Sequence, residues 1–377
     1  MTLAALTLAV ALVAQAASAQ DLDASIDKLG SLDYATRSAA SSSIRRAPAA
    51  EAVPKLIDAA LHHKDGYSRF RALVLLTGFN DDRGDSVMLQ LLGDPNDRVR
   101  AVAYGWFEHR PHPEAAAKML AALEQESSEF VRPPLTRALV AQNLPETRAA
   151  VAPLVKRGQD FFRSVVIEAL GDHKAEYAAA DIAEVAKLDG PLQDDAALAL
   201  GKIGDRKYLP ALAEMQRTAP RERQPSIAAA ICLLGVNCQA HEGYLADALK
   251  FGIENPGYQP LLRSAANGLA ALAVAGRQSA LATLVEAGLP SRDPARAAIA
   301  LALGTVSMRN TSVLLEWLAT REDVDAIANL LRESFDMLEE DLEEEQFYVT
   351  VRRRYWQAPD GSPLKAVAET LIKKLEF

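Results

Sequence analysis

Histidines, cysteines and paired carboxylates carry most side-chain chemistry, and this sequence is sparing with all but the carboxylates. The six histidines stand at 62, 63, 109, 112, 173 and 241, and the two cysteines are Cys232 and Cys238. The densest grouping is Glu108-His109-Arg110-Pro111-His112-Pro113-Glu114, which offers the imidazoles and carboxylates that a transition metal takes as ligands. Two prolines interrupt it, so the i, i+4 placement by which a HExxH helix presents both rings on one face is lost. His241-Glu242 is a second pairing of the same types, and it stands alone. GxSxG, P-loop, GxGxxG and CxxC motifs do not occur, which leaves acyl transfer, phosphoryl transfer, dinucleotide and dithiol chemistry without a foothold. The expectation is a protein that binds and does not catalyse, with no catalytic residue, metal or cofactor.

Three other groups of residues invite a functional reading. Cys232 and Cys238 flank a helix end in CLLGVNC, where a tight turn can bring two Cα atoms within the roughly 4.4–6.8 Å that a disulfide needs. A bridge is expected in an oxidising compartment; the rival reading makes Cys232 a small buried apolar residue. Aromatic residues are only 6% of the chain, so Tyr104, Trp106 and Phe107, together with Phe161 and Phe162, stand out as core residues or, if exposed, as anchors for a partner. From Glu339 the tail reads EEDLEEEQFYVTVRRRYWQAPDG, an acidic run and a short β-like FYVTV followed by Arg352, Arg353, Arg354, Tyr355 and Trp356. That stretch reads either as a terminal cap over the last exposed helices or as a docking surface for an anionic partner.

These residues must be held by the elements around them, and those elements repeat. An acidic residue, an Arg three or four positions on, and an Ala- and Leu-rich helix ending near Gly recur along the chain. Clear copies are Asp65 with Arg69, Asp97 with Arg100, Glu129 with Arg132, Asp160 with Arg163 and Asp293 with Arg296, and Asp33 with Arg37 adds a first. Arg37, Arg69, Arg100, Arg132 and Arg163 are spaced by 32, 31, 32 and 31 residues, and Gln193 continues the series in DDAALALG. Between the copies lie second amphipathic segments such as PEAAAKMLAALEQE, in which Ala117, Met119, Leu120 and Leu123 form one apolar stripe. Each unit is thus a helix, a turn and a helix, with Gly and Pro at the joints. A carboxylate at a helix start accepts free amide protons and suits the helix dipole, and the Arg is expected to reach an acid of a neighbouring repeat.

This pattern resembles HEAT-repeat proteins, and its short period is most similar to the bacterial HEAT-like units also found in phycobilin lyases. The resemblance spans roughly residues 24 to 320. It implies an all-α, right-handed α-solenoid of about nine helix-turn-helix repeats, ending in a C-terminal cap over 339–377. It further implies a stacking ladder formed by Asp65, Arg69, Asp97, Arg100, Asp160, Arg163, Asp293 and Arg296, with the second helices lining a concave binding face. HEAT-fold hydroxylases hold a di-iron centre with several His-Glu dyads, and this chain has one, so that activity is not expected. A stacked array must bury the apolar face that no single helical pair can cover, which is why its geometry suits the binding of extended partners.

Composition narrows the setting. With 49% hydrophobic and 24% charged residues the chain can bury a sizeable core, and its excess of Ala over aromatics favours helices over sheet. A net charge of -9 disfavours nucleic acid, which needs clustered cations. Residues 1–19, MTLAALTLAVALVAQAASA, form an apolar stretch ending in Ala17-Ser18-Ala19, which reads as a signal peptide cleaved near Ala19, although no Lys or Arg precedes it. The mature chain, with a solenoid over 20–338, should carry no membrane span and sit in the periplasm or be secreted. The expected function is a protein–protein interaction scaffold or adaptor. The alternatives are a sensor that takes a peptide or small ligand in its groove, or an enzyme with an unrecognised site.

Overall fold

The computed structural model describes residues 21–188, 190–338 and 340–377; the signal-peptide reading of 1–19 lies outside them. The described residues divide into two compact units, one within 21–106 with 376–377 and the other within 107–375. Described residues of the first unit comprise α1 (21–28), α2 (Tyr34–Arg46), α3 (Ala49–His62), α4 (Gly66–Phe79), α5 (Arg83–Leu91) and most of α6 (Asp97–His109). The second takes the last residues of α6 and continues through α7 (Pro113–Leu123), α8 (Arg132–Gln142), α9 (Pro145–Val151), α10 (Asp160–Asp172), α11 (Ala179–Ala186), α12 (Gln193–Ile203), α13 (Leu209–Thr218) and α14 (Gln224–Leu233). After these come α15 (Cys238–Glu254), α16 (Gln259–Val274), α17 (Gln278–Gly288), α18 (Ala295–Arg309), α19 (Thr311–Leu318), α20 (Val324–Leu338), α21 (Asp341–Gln357) and α22 (Pro363–Lys374). Among the described residues there is no strand, and successive helices stack as an α-solenoid. No single helix there is long and apolar enough to cross a membrane.

In the second unit the even-numbered helices α8 to α20 pack in series, each against the next. These are the helices of the recurring phrase, and sitting between neighbours on both sides they are buried almost all round. In α14 every residue from Pro225 to Cys232 is buried. Each buried Leu or Ile in such a row contributes about 1.5–3 kcal/mol. Small residues set the spacing: a Cβ on Gly201 would lie 2.6 Å from the Ala230 Cα, and one on Gly171 2.8 Å from the Ala199 Cα. The glycine at the end of the phrase therefore admits the neighbouring backbone, whereas Gly204, at φ +88°, is the left-handed cap that stops α12.

The phrase residues hold the turns. Asp33 accepts the Thr36 amide at 2.8 Å and Asp65 the Ser68 amide at 2.7 Å, capping α2 and α4. Asp97 and Asp160 instead lie inside the first turns of α6 and α10, and Asp293 precedes α18. Arg69 does reach an acid of the following turn, Asp94, at 2.9 Å, and Arg296 reaches Glu333 at 2.7 Å. Arg163 pairs with Asp160 of its own phrase at 3.0 Å, and carbonyls are further acceptors along the row. Arg37 donates to the Ser31 and Leu32 carbonyls, Arg100 to those of Asp94 and Pro95, and Arg163 to that of Val155, as Arg296 also does to Gly288 and Leu289. A helix end leaves carbonyls without intrahelical partners, and a guanidinium with five donors satisfies several at once. Gln193, in the Arg position of its repeat, does the same through its amide to the Ala186 carbonyl at 3.1 Å.

The tail corrects one expectation. FYVTV is part of α21, not a strand, because Phe347 and Val351, four apart, share the buried side of a helix, with the Phe347 ring 5.1 Å from that of Phe335. With α22 it packs on α18 to α20.

Candidate binding cavity

The second unit holds a cavity of about 760 Å³, lined by residues of α6, α8, α10, α12, α14, α16, α18 and α21 and of the turns that follow α10, α12 and α16. Apart from Glu343 of α21, the phrase helices and the turns after them supply the lining, while the segments between the phrases lie outside it. The cavity thus lies along the phrase helices, whose free ends and one stripe turn toward it, and not along the second helices expected to line a binding face.

Polar residues on that stripe follow a register. Counting from the phrase residue, the fifth position carries Arg137 and Glu168, and the ninth carries His109, Asp172 and Lys202. Positions four apart share a helix face, so repeats whose periods match aim these side chains at one space. Five and nine are apolar or small in the second copy, as Val74 and Gly78, so only some copies carry the signal. This register was readable in the sequence and did not figure among the expected sites.

The charges form a network. Arg137 grips both Glu108 oxygens, its Nε 3.1 Å from each and Nη2 2.9 Å from Oε1, while its Nη1 lies 3.0 Å from Asp172. Lys202 holds the other Asp172 oxygen at 2.7 Å, and His173 Nε2 lies 3.1 Å from Glu108. From the far end of the unit α21 brings Glu343 to 3.2 Å from His109 Nε2 and 3.5 Å from Arg309, which also lies 3.6 Å from Glu340. Burial alone would raise the Glu108 carboxyl; the His173 hydrogen bond and the charge and hydrogen bonds of Arg137 outweigh it and hold Glu108 well below the carboxylate range. The Glu343 hydrogen bond raises the His109 imidazole against its burial. Asp195 behaves oppositely: burial, with the like charges of Glu168 and Asp194, pushes it up to about 6 despite a 2.6 Å hydrogen bond from Ser164 Oγ.

The expected candidate residues scatter. Tyr104, Trp106 and Phe107 are at most 4% exposed, so none is a partner anchor: the Tyr104 hydroxyl donates to the Leu92 carbonyl and the Trp106 indole to Asp85, and each ring fills packing space. Arg352 pairs with the buried Glu345 at 3.4 Å, Arg354 donates to Ser312 Oγ, and Tyr355 lies beneath Lys365, leaving Arg353 and Trp356 as the exposed members of that group. Cys232 and Cys238 are joined as a disulfide with Cα atoms 4.5 Å apart. Of the His- and carboxylate-rich turn, Glu108 and His109 face the cavity, His112 sits beside Phe107 and Glu114 pairs with Lys118. Glu242 is taken by Arg277 and Ser279, away from His241. No group of three or more potential metal ligands occurs among the described residues.

No family model and no curated protein matches the sequence. Among solved structures the chain is similar to YibA of E. coli, at 16% identity over 58% of this chain and 82% of that one, with a TM-score of 0.41. It is similar to the CpcE and CpcF complex of phycocyanin lyase from Nostoc, at 17% identity over 67% and 94%, with a TM-score of 0.42. Kap95p, in a structure describing its binding to RanGDP, matches at 11% identity over 94% of this chain and 56% of its own, with a TM-score of 0.40. All three superpose loosely, and the solenoid is established by the helix rows above without them.

Proposed function

We propose that this chain is an exported, non-enzymatic HEAT-like scaffold that holds a protein partner in the cavity of its second unit. The observation that carries the reading is the cavity itself: about 760 Å³, within the roughly 300–1,000 Å³ of clefts that take a bound molecule, and lined by the repeat helices. The Glu108 cluster is suited to holding and not to proton transfer. Glu108, locked in its ionised form by Arg137 and His173, is a poor acid or base near neutrality, since proton transfer works best with a pKa near the operating pH. Paired charges on rigid helices are instead suited to orienting a partner that offers complementary groups. The small-x-small end of residues 1–19 and the Cys232–Cys238 disulfide support a periplasmic or secreted setting.

A photo-crosslinking side chain at Asn267, which faces the cavity, should trap a polypeptide in the exporting cell, while the same group at the exposed Glu254 on α15 should not. Equal adducts at both positions, or none at Asn267, would overturn the reading. Export is checked by N-terminal sequencing of the fractionated protein, which should begin at Gln20; a cytoplasmic chain retaining residues 1–19 would refute it.

A further inference from the structure

We infer that the guest of this cavity presents a lysine or arginine side chain, whose aliphatic stem lies along the apolar wall and whose cationic head sits between Glu168 and Asp195. The inference rests on the binding reading above and narrows it to one chemistry. Within the cavity each of three cations has its counter-charge: Arg137 has Glu108 and Asp172, Lys202 has Asp172, and Arg309 has Glu340 and Glu343. Two carboxylates differ. Asp195 is bonded to the Ser164 hydroxyl, and Glu168, exposed on α10, makes no salt bridge among the described residues; Lys202 and Arg137, which act on them through their charge, are each already held by Asp172 or Glu108. Burial raises Asp195 first and the like charge of Glu168 adds to it, so an incoming cation that pairs with both carboxylates would offset that repulsion. Lys174 is the lining cation left over, but it stands on the exposed turn after α10.

The rest of the wall fits the stem. Leu198, Ala271 and Val274 are partly exposed to the cavity, and a long cationic side chain buries its methylenes along such a surface while its head reaches polar groups. An anionic guest would meet carboxylates already in excess of unpaired cations, and a small neutral guest would leave both carboxylates uncompensated. A polypeptide is chosen over a free amine because the cavity far exceeds the volume of one side chain and is lined from eight helices, room for the flanking residues of a segment.

The test uses the mature chain carrying the crosslinker at Asn267 and two short fluorescent peptides, one of alternating alanine and lysine and one of alternating alanine and glutamate. The lysine peptide should bind and crosslink, and the double variant Glu168→Gln, Asp195→Asn should weaken it about tenfold or more, close to 1.4 kcal/mol, with an unchanged melting temperature or a higher one. Glu254→Gln, an exposed acid outside the cavity, should leave the affinity unaltered, which separates a site from attraction to an acidic surface. Equal affinity of the wild type and double variant, or binding of the glutamate peptide at the same position, would overturn the inference while leaving a polypeptide-binding cavity in place. Failure of both peptides to crosslink at Asn267, while the partner trapped in the exporting cell still does, would likewise end it; failure of all three would end the binding reading as well.

Discussion

Two sets of charged residues serve the same helices in different ways. At the starts of the phrase helices, Arg37, Arg100, Arg163 and Gln193 each close the turn just before them, within five to eight residues in sequence. On the inner side, Glu108, Arg137, Asp172 and Lys202 are tied across 29 to 35 residues, and His109 to Glu343 across 234. The first set recurs because every repeat has the same helix end to satisfy. The second varies from copy to copy because it serves one place in the molecule. In a repeat protein, departure from the repeat is thus the better guide to a site.

Removing one member from each set measures the contrast. Arg137→Ala leaves the buried Glu108 without its guanidinium and should cost about 3–5 kcal/mol, read as a large fall in melting temperature. A change within the helix row comes next: Gly201→Ala drives a methyl against the Ala230 backbone and should cost about 1–3 kcal/mol by chemical denaturation.

Asp195→Asn tests the opposite sign. The folded Asp195 has a pKa of about 6, above its ordinary value of 3.8, so its contribution to stability is full below about 3.8 and is lost as pH rises through 6. The amide variant should therefore be more stable than the wild type above pH 6, by about 1–2 kcal/mol after allowing for screening, and the advantage should vanish near pH 4. Glu108 runs the other way: its lowered pKa stabilises the fold above its ordinary value of 4.5 and that stability is lost as pH falls, so acid melting should begin below about pH 4. The smallest effect is expected for Arg163→Ala, which frees one turn carbonyl, at about 0.5–1.5 kcal/mol. If Arg163→Ala cost as much as Arg137→Ala, the distinction between local clamps and the inner network would fail.

The phrase spacing made the helical repeat legible, and CLLGVNC placed two cysteines that the structure joins. Less was legible where two readings share one pattern. FYVTV has the residues of a strand, yet Phe347 and Val351 fall four apart, and the apolar surface of α20 selected the helix. Tyr104, Trp106 and Phe107 have the composition of a binding anchor, and only packing assigns them to the interior.

By itself the sequence determined what depends on neighbours along the chain: where helices start, how their turns are clamped, and that the units repeat. Helix propensity, capping and hydrophobic period act within a few residues, so they can be read in order. Only the tertiary structure decided which helix row faces inward, that Glu343 returns to His109, and that Glu168 and Asp195 share a cavity in which neither makes a salt bridge among the described residues. Those outcomes depend on stacking angles accumulated over many repeats, and on the burial that turns a charged side chain into a paired or an unpaired one.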